Sequence, residues 1–273
     1  MSDPTAALKA RYQSATLPEV GPWNEVLELL LAHRSVRAYT PEPLAEGTLE
    51  SLMAAAQSAS TSSNLQAWSV IAVTDQERKQ ALCELCGQQR QIPQAPLFLV
   101  WLADLHRLEQ VAAYRGEAAE ALPYLEMLTV AVIDAALAAQ NFVVAAESLG
   151  LGTVYIGALR NHVDQVAALM ELPPNVMPVF GMCVGHIDPA RPGSIRPRLE
   201  QGAVLFRETY GKADPAPALQ RYDEVMSRYY AEQKIKAPNS WTGHSAERIS
   251  HPGAMSGRHL LRGLLEKMGF GLR

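Results

Sequence analysis

The densest group of binding-type side chains is His33-Arg34-Ser35-Val36-Arg37. Three potential cations beside a hydroxyl suit a phosphate or another anion, because guanidinium groups donate in a fork that matches phosphate oxygens. Basic residues at a helix C-terminus also meet the helix dipole favourably, so spacing alone leaves both readings open. Arg196-Pro197-Arg198-Leu199 is a second cationic cluster, stiffened by its proline, and reads as the completion of an anion site or as a surface loop. Ser60 to Gln66 (STSSNLQ) offers hydroxyls and amides to a polar ligand, or caps the next element as a solvated loop. In Gly152-Thr153-Val154-Tyr155-Ile156-Gly157-Ala158-Leu159-Arg160-Asn161 a strand runs into a glycine, where backbone can approach a ligand closely. An ordinary strand-to-helix turn has the same pattern.

Other chemistries find little support. Cys83-Glu84-Leu85-Cys86 has the spacing of a redox pair, but it falls inside a charged helical pattern instead of following a strand. No cluster of His, Cys and carboxylates has metal-ligand spacing, so no metal is expected, and His162 and His186 read as structural or exposed. Neither a Walker loop nor GxGxxG occurs, which argues against a Rossmann nicotinamide domain. The net charge of −4 supplies no general basic excess for nucleic acid. Three cysteines do not make a disulfide framework, and a reducing cytoplasm is expected. Residues 1–22 lack the basic start and apolar stretch of a signal peptide. The most apolar stretch, 127–149, contains Asp134, Gln140, Asn141 and Glu147, and reads as a buried helix, not a membrane span.

These clusters need a scaffold. At 273 residues and 48% hydrophobic content, the chain can bury a substantial core without disulfides or metals, as one large domain or two small ones. Trp23, Val26, Leu27, Leu30 and Leu31 predict a helix that stops near His33, with Pro41 and Pro43 forbidding easy continuation. A helix is predicted over 45–59 with Leu49, Leu52, Met53 and Ala56 inward, then a strand over 68–74 and a helix over 75–85. Residues 97–103 (LFLVWLA) read as a fully buried strand and 104–123 as helical or irregular. The helix over 126–149 closes at Gly150, and its alanine-rich faces let another helix approach closely. A strand over 152–156, a helix over 162–170 and a strand over 176–184 follow. Pro178 predicts that the last is an edge strand or a strand start. Helices interleaved with short strands give an α+β or mixed α/β fold, a sheet covered by helices.

Five segments stand in one order: HRSVRAYTPEPL from His33, TSSNLQ from Thr61, AAESLGLGTVYIGALRN from Ala145, FGMCVGH from Phe180 and RPRL from Arg196. Together they resemble the oxygen-insensitive nitroreductase and NADPH-flavin oxidoreductase family, near its nitroreductase A branch, over roughly residues 26–241. The resemblance implies an α+β three-layer sandwich with a central, mainly antiparallel sheet, in an intertwined homodimer that holds two FMN in its interface. Helix 127–149 would be the central dimer helix. It further implies an FMN-binding core over 23–212 and a helical tail over 213–273 packing on it, with 1–22 an extension outside the resemblance.

Carried over by position, His33, Arg34, Ser35 and Arg37 would bind FMN, His33 and Ser35 towards the phosphate and Arg37 facing the pyrimidine edge of the ring. Ser60, Thr61, Ser62 and Asn64 are candidates from the serine loop, to which the partner subunit contributes in this family. Gln89 matches a glutamine contacting the ribityl chain or ring. Tyr155, Ile156, Gly157 and Ala158 match the segment along the isoalloxazine, and Arg196 and Arg198 the basic pair near the phosphate. Arg160 would lie near the nicotinamide and acceptor site. Ala158 stands where the branch usually has a second glycine, and Arg196 replaces a more usual lysine. Lys234 and Lys236 would substitute for arginines that grip the 2′-phosphate of NADPH, so the choice between NADPH and NADH stays open. The implied activity is ping-pong two-electron reduction of nitroaromatics, quinones or related small-molecule acceptors by NAD(P)H, with flavin N5 carrying the chemistry and no catalytic side chain. A flavin reductase releasing reduced FMN and a non-catalytic FMN sensor or storage protein are the alternatives.

Overall fold

The computed structural model describes residues 3–14, 17–235 and 240–273. They divide into two compact units: Met1–Arg34 with Gly193–Met255, and Ser35–Pro192 with Ser256–Arg273.

The second unit holds the sheet. Its elements are α3 (Thr48–Gln57), β1 (Trp68–Val73), α4 (Gln76–Leu85), α5 (Gln91–Gln94), β2 (Leu97–Asp104), α6 (His106–Arg115), α7 (Leu125–Ser148), β3 (Leu151–Ile156), α8 (Val163–Leu169), β4 (Val176–His186) and α11 (Leu261–Lys267). The four strands run in the order β1-β2-β4-β3, every pair antiparallel. All eight residues of β2 are buried, which explains their unbroken apolar run: an interior strand covered on both faces has no polar side to alternate with. Successive side chains still point to opposite faces. Phe98, Val100 and Leu102 join Leu82, Ile92, Leu159 and Val166 of one helical layer, while Leu97, Leu99 and Trp101 pack with Leu52, Ala139, Phe142 and Val143 of α3 and α7. Helices on both faces of one sheet make the three-layer α+β sandwich.

Helix α7 matches the long apolar pattern, and Gly150 just beyond it has φ +76°, the left-handed conformation that a helix-closing glycine supplies. By length and composition α7 could cross a membrane, yet half of its most apolar window is buried within the unit. Its small residues Ala131, Ala135, Ala138, Ala139 and Ala146 are fully buried against the sheet side. Leu125, Ile133 and Leu137 remain exposed on the other side.

Of the two places expected for Pro178, the edge strand fails and the strand start holds: β4 lies between β2 and β3 and is an interior strand, and Pro178 is its third residue. It tolerates Pro178 because β3 pairs only with Gly181–His186, leaving the first half of β4 bonded to β2 alone. The missing N–H falls where no third strand needs it. The β2–β4 register also shifts there: Trp101 opposes Phe180 and Leu102 opposes Pro178, so Val179 is bulged out of the pairing.

The first unit contains α1 (Pro4–Tyr12), α2 (Glu25–Ala32), α9 (Ala216–Glu232) and α10 (Trp241–Ile249). Asp3 caps α1 by accepting from Thr5 N at 2.9 Å, and Asn24 caps α2 by accepting from Leu27 N at 3.0 Å. Tyr222, Val225, Met226 and Tyr229 form the buried stripe of α9 at helical spacing, with Leu199, Tyr230 and Trp241 packed against it.

Candidate functional site

In the sheet unit, the second half of the first motif lies along β3. Ser35 bridges Thr153 in parallel fashion, and Val36 N donates to Thr153 O at 2.9 Å. A glycine makes this approach possible: a Cβ on Gly152 would come within 2.8 Å of Val36 Cβ and Cγ1. Further on, Thr40 N donates to His186 O at 3.0 Å and Tyr39 hydroxyl donates to Val36 O at 2.6 Å. Two motifs separated by over a hundred residues thus become one layer, with Ser35 half-buried and Arg37 exposed. Beyond β3, residues Gly157–His162 form a short 3-10 turn. Tyr155 is partly exposed and stacks edge-on against Phe180, ring centroids 5.1 Å apart, while Ile156 is buried. Gly157 and Ala158 are half-buried.

Arg160 leaves the turn to donate from Nη1 to Val179 O, the carbonyl at the bulge. Burial pushes its guanidinium pKa down. It lines a mostly apolar groove of about 540 Å³ with Thr129, Ile133, Phe180 and Leu261, so a cation sits in a surface otherwise suited to a flat apolar ring. The neighbouring Asn161 accepts from Arg258 Nε at 2.9 Å. Gln89 lies in the loop between α4 and α5 and accepts from Gln91 Nε2 at 2.7 Å. That loop adjoins the 3-10 turn, since a Cβ on Gly87 would lie 3.8 Å from Asn161 Nδ2.

The serine loop is pinned, not freely solvated. Asp134, 1% exposed in the middle of α7, accepts from Thr61 Oγ1 at 2.5 Å, Ser62 N at 3.1 Å and Ala67 N at 3.2 Å. A buried carboxylate is tolerable only with such donors. Thr61 Oγ1 also accepts from Gln66 N at 2.9 Å, so this hydroxyl supports the loop. Arg107 holds the loop's exit by donating to Gln66 O at 2.9 Å and Trp68 O at 3.1 Å. Ser63 and Asn64 take left-handed φ of 49° and 57°, and Ser60, Ser62 and Asn64 are exposed. Tyr155 hydroxyl meets α7 at Gln140, donating to Oε1 at 3.4 Å. Gln140 stands six residues beyond Asp134, about 240° around a helix. Within one chain the serine loop and Tyr155 therefore meet α7 on different sides.

In the first unit, His33 ends α2 and its carbonyl accepts from Arg11 Nη2 at 2.6 Å. Arg34 follows, half-buried. Arg196 and Arg198 are exposed, and Arg198 Nη1 donates to Arg196 O at 3.1 Å. The Arg196 guanidinium lies 5.9 Å from the centre of the Tyr229 ring. Both arginines line a cavity of about 600 Å³ with Tyr222, Tyr230, Trp241 and His244. Lys234 is exposed just past α9, with φ 52°. Lys236 lies outside the described residues.

Sequence reasoning missed Arg11, Asp134 and Arg258. A signal existed for Asp134: an acidic residue amid an apolar helix needs partners. Arg11 and Arg258 carry no local signal, because their acceptors are remote in sequence.

Residues 30–186 match the nitroreductase family, and residues 196–273 match the nitroreductase family, C-terminal domain. An FMN reductase (NADPH) of Bacillus subtilis is 43% identical over 223 residues, covering 80% of this chain and 89% of that protein. An oxygen-insensitive NADPH nitroreductase of Salmonella typhimurium is 39% identical over 222 residues, covering 81% of this chain and 89% of the relative. The solved structure of an NADPH:FMN oxidoreductase from Vibrio harveyi, complexed with NAD+, superimposes with a TM-score of 0.81 at 32% identity, over 92% of this chain and 100% of that one.

Proposed function

The chain belongs to the nitroreductase family, and we propose on that footing that it is an FMN-dependent NAD(P)H oxidoreductase reducing nitroaromatics, quinones or related small acceptors. The observation that carries the reading is the layer made by Ser35–Arg37 on β3, which joins a hydroxyl and a cation to the strand that runs on into the Tyr155–Arg160 segment. The donor set suits FMN. His33, Arg34, Ser35, Arg196 and Arg198 offer the charge-assisted hydrogen bonds a phosphate needs. Arg37 supplies positive charge for the pyrimidine edge, while Tyr155, Ile156, Gly157 and Ala158 offer backbone and a flat apolar edge to a ring. Ser60, Ser62, Asn64 and Gln89 add neutral hydrogen-bonding groups.

When bound, FMN supplies the two-electron chemistry, and the protein supplies binding, orientation and field. Arg37 stabilises negative charge at the site of reduction. Arg160 is fixed by Val179 O and presents its remaining donors at the edge of an apolar groove, which orients a ring-shaped donor or acceptor. No side chain is assigned an acid or base role. Lys234 and Lys236 are proposed to favour NADPH by pairing with its 2′-phosphate. The exposed apolar stripe of α7 supports a homodimer, in which the serine loop of one subunit completes the site of the other. A soluble cytoplasmic enzyme fits the buried free thiols.

The test is direct. The purified protein should show flavin absorbance, or take up added FMN stoichiometrically, and turn over NADPH with a quinone. A colourless protein that takes up no FMN would refute the proposal. A second reading, release of free reduced FMN, is favoured by the name of the Bacillus subtilis relative. It requires that added free FMN act as a saturable second substrate.

A further inference from the structure

We propose that Arg11, in a helix that precedes every segment carrying the family resemblance, is a positioning residue for the phosphate end of the flavin. Arg11 is 7% exposed. Its Nη1 donates to Arg196 O at 3.0 Å, and its Nη2 donates to Leu31 O at 2.7 Å and His33 O at 2.6 Å. Its own carbonyl accepts from Arg198 N at 3.1 Å. One residue therefore bonds the backbone of His33, Arg196 and Arg198, which belong to the two cationic segments proposed to hold the phosphate.

The chemistry favours arginine for this task. The last carbonyls of a helix such as α2 have no intrahelical donor, and a planar fork can serve two such acceptors on one side while reaching a separate loop on the other. These three bonds go to backbone carbonyls of the segments they join, so they fix where the side chains start without occupying those side chains. Two neighbours of Arg11 are stitched to the same loop: Ser14 Oγ donates to Glu200 Oε1 at 2.9 Å, and Gln201 Nε2 donates to Tyr12 hydroxyl at 3.4 Å. The positive charge of Arg11 also adds to the field around the bound anion. The extension thus clasps the anion cluster of its own unit.

The inference rests on the proposal that these segments bind FMN, and riboflavin, which lacks the phosphate, separates the two. Dissociation constants for FMN and riboflavin are measured by fluorescence titration of the full-length apoprotein, for wild type, Arg11→Gln, Arg11→Lys and Arg198→Ala. Arg11→Gln should weaken FMN about tenfold, the size expected for lost hydrogen bonds to a charged group, and leave riboflavin within twofold. Arg11→Lys should fall between, keeping the charge but not the fork. A general structural defect would instead weaken both ligands alike, and that result would overturn the assignment. If Arg198→Ala lowers the preference for FMN over riboflavin and neither Arg11 variant does, the role of Arg11 is refuted alone. If no variant changes the preference, the phosphate site itself is refuted, and Arg11 with it. Should Arg11→Gln not fold, Arg11→Lys decides; failure of both to fold would make Arg11 a stability residue and overturn the proposal.

Discussion

Gly152 and Val36 meet at the point where the Ser35–Arg37 segment is laid on β3. A Cβ on Gly152 would stand under 3 Å from three atoms of Val36, and Val36 is 1% exposed, with nowhere to retreat. Gly152→Ala must push the segment off the strand and lengthen the Val36 N to Thr153 O bond. The expected result is a loss of about 1–3 kcal/mol in stability and at least a tenfold weaker FMN affinity, read by thermal melt and flavin titration. Unchanged affinity would show that the layer does not set the site. The cysteines give an opposite kind of prediction. Burial pushes Cys86 up to about 12 and raises Cys83 and Cys183 as well, so thiolate, the reactive form, is scarce. A thiol reagent at neutral pH should modify the native protein far more slowly than the unfolded chain; rapid reaction of Cys83 with Cys86 would reopen the redox reading. Local motifs such as His33–Arg37 and Tyr155–Arg160 were legible in the sequence because their chemistry is contiguous. The grip of Asp134 on Thr61 was not, because a pairing across 73 residues leaves no periodic trace.

At the scale of elements, hydrophobic period carried most of the reading. The unbroken apolar run of β2 and the closing Gly150 of α7 gave their positions to within a few residues. Strand order did not follow from sequence, since it is fixed by pairings between distant segments, and Pro178, which pointed to an edge strand or a strand start, stands third in an interior strand where β3 does not reach. The join of α9 to α10 has a pH signature. Burial raises the Asp223 carboxyl, but hydrogen bonds from the side chain and backbone of Thr242 and from Ser240 outweigh it, and the net shift is downward. A carboxyl held below its unfolded value stabilises the fold above the unfolded pKa and loses that contribution as pH falls through the folded one. The window is therefore about pH 4 and below. Acidification from pH 6 to pH 3 should lower the hydrogen-exchange protection of α10, taken relative to the intrinsic amide rate at each pH, more for wild type than for Asp223→Asn, whose side chain has no carboxyl to protonate. Equal loss of protection in both would assign the acid sensitivity elsewhere.

At the scale of the whole molecule, the exposed side of α7 sets the last prediction. Leu125, Ile133 and Leu137 recur on one stripe and are half exposed in the single chain, an apolar surface of the kind that soluble proteins cover with a partner. The serine loop and Tyr155 meet α7 on different sides, and in the proposed dimer a second copy packed on the stripe would bring its own serine loop to the site. Leu137→Glu, outside the Arg160 groove, places a carboxylate where that copy would pack. A buried charge without a partner is strongly unfavourable, and the dimer dissociation constant should rise at least about a hundredfold, or about 3 kcal/mol. Leu137 is exposed in the single chain, so the isolated subunit should keep its secondary structure and change little in intrinsic stability. Sedimentation should then show monomers at micromolar concentration, and FMN affinity should fall in step with the dimer fraction. A monomeric Leu137→Glu protein that binds FMN as tightly as wild type would show that one subunit is sufficient, and would remove the serine loop of a second copy from the cofactor site.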